Sequence, residues 1–111
     1  MTQKEYREAC FNEFYEKKKE YENQEITDSK MFSWLCNTHE NIYKAVALLT
    51  DTPLKDATLS TVQKFDKLLY SYWIEISEQI HYMNIENLTI STMIENIDGK
   101  IKWTVGKYGE D

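Results

Sequence analysis

The sequence predicts a mostly α fold of the α+β class: a compact three-helix domain over residues 1–111, with a long central helix and a C-terminal β-hairpin. Three observations predict it. Breakers are scarce, with three Gly and one Pro in 111 residues, which favours helices joined by short loops. Apolar residues recur at helical spacing through the middle of the chain. Near the C-terminus, Asp98-Gly99 stands between two arms of alternating character, the pattern of a tight hairpin.

A first helix is expected over about residues 2–24. Tyr6, Cys10, Phe14, Lys17 and Tyr21 share one face, with the Lys17 stem lying along apolar surface. Glu13 and Lys17 stand at i,i+4 in the favourable order. The run from Glu16 to Glu20 reads as a solvated turn. Phe11 and Tyr15 point away from the main stripe, either packed by another element or part of a contact surface.

Thr27, Asp28 and Ser29 supply N-cap candidates for a second helix over about 28–49. Met31, Leu35, Ile42, Val46 and Leu49 define its buried side, with Thr38 and Ala45 as small neighbours. Trp34 and Leu48 lie on another side, so this helix is expected to touch two neighbours. Residues 50–56, TDTPLKD, hold the only proline and read as a terminator and turn.

The central helix is expected over about 58–84. Val62, Phe65, Leu69, Tyr72, Trp73, Ile76, Ile80 and Met83 fall on one arc at 100° per residue. Lys64, Lys67, Ser71, Glu75 and Glu78 fall opposite. No Gly or Pro interrupts the run. Ser60 with Gln63 fits a capping box at its start.

The hairpin is expected over about 89–106. Ile101, Trp103 and Val105 alternate with Lys100, Lys102 and Thr104, and folding at Asp98-Gly99 sets Glu95 opposite Lys102. A rival reading makes 88–97 a short helix through Ile90, Met93, Ile94 and Ile97, with Gly99 as its C-cap. The final KYGED is expected to fray.

Formal net charge is −6, which disfavours direct contact with nucleic-acid phosphates and favours a protein partner with a basic surface. The N-terminal stretch is charged where an export signal needs an apolar segment. No apolar run is long enough for a bilayer. The expectation is therefore a cytoplasmic protein with reduced thiols and no membrane partner.

No chemistry-bearing motif emerges. Cys10, Cys36, His39 and His81 form the only ligand-like set, but without a CxxC, and buried free Cys ordinarily acts as a small hydrophobe. Glu78-x-x-His81 is half of a carboxylate-bridged di-iron signature with no second copy. Nucleophile elbow, P-loop and dinucleotide fingerprints are missing. Asn87-Leu88-Thr89 matches a glycosylation sequon by pattern alone. No catalytic, cofactor-binding or metal-binding residue is assigned.

What remains is acidic charge beside aromatics: eight Tyr and three Trp, residue types favoured in interfaces. Glu5, Glu8, Glu13, Glu16 and Glu20 line one side of the first helix, with Phe11 and Tyr15 beside them. For any one carboxylate the plain reading is solvated surface charge. Together they point to a non-enzymatic inhibitor or immunity-type protein that blocks a basic nucleic-acid-handling partner, such as a toxin nuclease or a defence nuclease opposed by a phage or mobile element. A homodimer is compatible with this. The alternative is a small winged-helix-like DNA-binding regulator, with Lys100, Lys102 and Lys107 near phosphates at the wing.

Overall fold

A computed structural model of the chain describes residues 1–86 and 89–108, with side chains described except at 85, 86, 107 and 108. Helix α1 runs Gln3–Glu22. Thr2 caps it: the Thr2 hydroxyl accepts from the Glu5 backbone N–H at 3.1 Å, and the Glu5 carboxylate accepts from the Thr2 N–H at 3.2 Å. Arg7, Cys10 and Phe14 are buried, while Tyr6, Phe11, Tyr15 and Tyr21 pack half-buried against the core.

Helix α2 runs Asp28–Leu49 behind Thr27, whose hydroxyl accepts from the Lys30 N–H. The predicted Met31, Leu35, Thr38, Ile42 and Val46 are buried, joined by Ala47. Leu49 and Leu48 depart from expectation at 39% and 82% exposed. They fall in the last turn, where α2 has outrun its neighbours. The chain then reverses through Asp51 at φ 54°, a left-handed conformation that Asp tolerates. A short 3₁₀ turn, Leu54–Asp56, follows Pro53. The Tyr43 hydroxyl donates to the Ala57 carbonyl and ties this connection to α2.

The single central helix of the sequence reading is two helices. Helix α3 covers Leu59–Phe65 and helix α4 covers Lys67–Glu86, divided at Asp66, which is extended at φ −163°, ψ 125°. Asp66 Oδ1 accepts from the Leu69 N–H at 2.8 Å and so caps α4, while Oδ2 receives the Arg7 guanidinium at 2.8 Å. Both side chains are 5% exposed or less. A buried carboxylate needs these donors, and an extended residue at 66 lets one carboxylate meet both. The start also differs: the Thr61 hydroxyl accepts from the Thr58 N–H, in place of the Ser60–Gln63 pair. Val62, Leu69, Tyr72, Trp73 and Ile76 are buried as expected, with Phe65, Ile80 and Met83 at the margin.

The predicted β-hairpin is contradicted. No strand occurs among the described residues, and helix α5 runs unbroken from Ile90 to Tyr108, through Asp98 and Gly99. The buried set Ile90, Met93, Ile94, Ile97, Asp98, Ile101 and Thr104 has helical spacing throughout. That stripe overrides the turn preference of Asp-Gly. The rival helical reading named the right residues over 90–97, but its C-cap at Gly99 is also wrong. Asn87 and Leu88 of the sequon and the last three residues lie outside the described residues.

Helix α4 is the hub, packed against α2, α3 and α5. Helix α1 lies on it through rings, with Phe11 and Phe14 edge-on to Tyr72 at 5.4 and 5.9 Å. The resulting all-helical globule measures 38 × 31 × 23 Å. Among the described residues, no helix is long and apolar enough to cross a membrane.

Candidate functional site: the outer face of α1 and the α1/α5 groove

Glu5, Glu8, Glu13, Glu16 and Glu20 fall within an arc of about 140° at 100° per residue, away from the buried Arg7, Cys10 and Phe14. The first four are exposed and Glu20 is half-buried. Three have local work. Glu5 caps its own helix, and the backbone bond from Thr2 holds its carboxyl below the ordinary value. Glu13 accepts from the Trp34 indole N–H at 3.4 Å. Glu20 pairs with Lys17 at 3.2 Å, which replaces the expected Glu13–Lys17 pair. Glu8 and Glu16 make no ion pair among the described residues.

Two cations of α1 are drawn away from this face. Arg7 turns inward to Asp66. Lys18 reaches Asp98 of α5 at 2.9 Å, and Lys102 reaches the same oxygen at 3.2 Å. Burial pushes the Asp98 carboxyl up, but the two lysines outweigh it and hold it below its ordinary value. Lys18 is raised in turn by its bond to Asp98. This tie links α1 to α5.

Beside it the two helices leave a groove of about 610 Å³. Phe11 and Tyr15 form one wall, Ile101 and Val105 the other, with the exposed Glu8, Asn12, Lys102 and Gly106 at the edges. The Tyr15 hydroxyl is raised by burial and by the charge of Asp98, so it stays protonated as a donor. The arrangement can take apolar side chains between the rings and the aliphatic wall, and cations along the Glu8 edge.

The structure thus brings Glu8, Phe11 and Tyr15 of the predicted set to one groove. Glu16 remains on the outer face beside it. Glu13 lies toward α2, where it lines a different recess with Trp34. Sequence reasoning missed Lys18, Asp98, Lys102, Ile101, Val105 and Gly106 as parts of this site. The i,i+4 spacing of Asp98 and Lys102 was the signal available for one pair.

The other candidates are dispersed. Cys10 is buried and its thiol is pushed up to about 11 by that burial. Burial also raises Cys36. His39 stacks on Trp73 with centroids 4.7 Å apart, and burial lowers its pKa. His81 and Glu78 are exposed. No group of three His, Cys, Asp or Glu able to hold a metal occurs among the described residues. Of the wing lysines, Lys100 lies over the Trp103 ring and Lys102 on Asp98, and the Lys107 side chain lies outside the described residues. The winged-helix reading has lost its wing.

Comparison with protein-family models, with curated proteins and with solved structures finds no match.

Proposed function

We propose that the chain is a non-enzymatic binding protein that blocks a partner with a basic, nucleic-acid-handling surface. It docks through the outer face of α1 and the adjoining α1/α5 groove. The observation that carries this reading is the sorting of charge on α1: Arg7 and Lys18 turn to Asp66 and Asp98, while Glu8, beside Phe11 and Tyr15, and Glu16 on the outer face stay exposed with no ion pair among the described residues. Carboxylates of this kind steer a basic surface into contact, and half-buried rings anchor it once there. Glu13 and Glu20 extend the charged face. In this reading the partner's phosphate-binding residues meet α1 and are no longer open to nucleic acid.

The test is charge reversal without loss of fold. Replacing Glu8 and Glu16 with Lys, singly and together, removes attraction at exposed sites that make no ion pair among the described residues. The melting temperature and helical circular dichroism are expected to hold. Affinity for the partner isolated from source cells is expected to fall about tenfold or more for the combined variant. Unchanged affinity would remove the α1 face from the interface.

A further inference from the structure

Helices α2 to α5 pack closely about α4, whereas the backbone of α1 nears theirs at isolated points at most. Of the twenty residues of α1 only Arg7, Cys10 and Phe14 are buried, and one of those is a charge. Large rings fill the gap that this spacing leaves. Phe11 and Phe14 stand edge-on to Tyr72, Phe14 also meets Trp34, and Tyr6 stands edge-on to Phe65 at 6.4 Å. Recesses of about 610 and 340 Å³ run along the two sides of α1, against α5 and α2. Others of about 580 and 510 Å³ open at its start and its end. Polar ties add to the attachment: Arg7 to Asp66, Glu13 to the Trp34 indole, Lys18 to Asp98, and the exposed Tyr21 hydroxyl to Asp28 at 2.7 Å.

The chain between α1 and α2 divides at one residue. Asn23, Gln24 and Glu25 donate their backbone N–H groups back to Lys19, Tyr21 and Glu20, closing α1 with Gln24 left-handed at φ 61°. Thr27 belongs to α2: its carbonyl accepts from the Met31 N–H and its hydroxyl from the Lys30 N–H. No backbone hydrogen bond among the described residues spans Ile26. The chain can turn there without breaking either helix end.

A cost is also stored under α1. The Tyr72 hydroxyl is sealed from solvent with no hydrogen-bond partner among the described residues. Burial pushes its pKa well above the ordinary value, and Cys10, Glu13, Tyr6 and Tyr15, all of α1, add to that. An orphaned hydroxyl at this contact loses hydration that water restores once α1 moves away.

We infer that α1 is a releasable strap. It lifts as one unit about Ile26 from a body of α2 to α5 that stays folded, and so uncovers an aromatic seat formed by Trp34, Phe65 and Tyr72. Sparse burial and open flanks place a segment at the low end of local stability. Once lifted, a lone polar helix of this length frays, so its amides exchange. This motion does not depend on any partner of the outer α1 face, and its test needs none.

The test is hydrogen exchange of the full chain in urea below the unfolding transition. Amides from Cys10 to Lys18 are expected to exchange together, about a hundredfold or more faster than those from Leu69 to Ile76. A change in the body separates partial from global opening. Trp73→Phe removes an indole that donates to the His39 carbonyl and stacks on His39 and Tyr43, contacts between α2 and α4. It should speed the α4 amides about tenfold or more and leave the α1 amides within about twofold of the parent. Tyr43→Phe, which loses only the hydroxyl bond to the Ala57 carbonyl, is the milder form of this change, with about fivefold expected for α4. Lys18→Gln removes the tie to Asp98 and should speed the α1 amides about fivefold. A common exchange rate for α1 and α4, or α1 amides that quicken with those of α4 in the body variants, would mean global opening and overturn the strap. So would α1 amides indifferent to Lys18→Gln, which would mean local fraying.

Discussion

At the scale of single residues, the decisive contact is Arg7 with Asp66. Arg7 is the chain's only arginine. Its 2.8 Å bond to Asp66 is almost sealed from solvent. Removing one member leaves a buried charge without its partner, which costs far more than an exposed pair contributes. Arg7→Met is therefore expected to lower unfolding free energy by about 3–5 kcal/mol, measured by urea titration. Asp98 makes a second prediction, in pH. Its folded pKa is depressed below 3.8, so its contribution is fully present above that value and is lost as pH falls through the lower folded value. Asp98→Asn should cost about 2 kcal/mol at pH 7, as for a hydrogen-bonded charge. The difference from the parent should shrink steadily in melts taken below about pH 3.8.

At the scale of elements, helix periodicity was legible wherever burial is one-sided. The stripes of α1, α2 and α4 could be read from spacing alone, and their buried residues are largely those named. Two features were not legible, for the same reason. The break at Asp66 and the helix running through Asp98 each carry a cation from α1, Arg7 in one case and Lys18 in the other. Local preference treated Asp66 as an ordinary interior residue and Asp98-Gly99 as a turn. Long-range packing, which includes contacts 59 and 80 residues apart in sequence and the buried stripe of α5, reversed both. Glycine substitution separates helix from hairpin directly. A type I′ turn needs positive φ at Gly99, so alanine there would destabilise a hairpin. In helix α5, Gly99→Ala and Gly106→Ala each face open space and should stabilise by about 0.5–1 kcal/mol, seen as a higher melting temperature.

At the scale of the whole molecule, net charge of −6 could be read at once, but its distribution could not. Composition gives α1 nearly as many cations as anions. Folding withdraws two of the cations, because Arg7 and Lys18 have carboxylate partners outside α1, and Glu8 and Glu16 have none among the described residues. The candidate groove was legible only on its α1 wall, since its other wall required α5 to be a helix. The proposed function requires the α1 face to attract a basic partner electrostatically. Stopped-flow association of the full chain with that partner, over ionic strengths from about 0.05 to 0.5 M, tests it most directly. The association rate is expected to fall about tenfold or more across that range, with a shallower slope once Glu8 and Glu16 are changed to Lys. A rate indifferent to salt, or a slope untouched by those two changes, would contradict it.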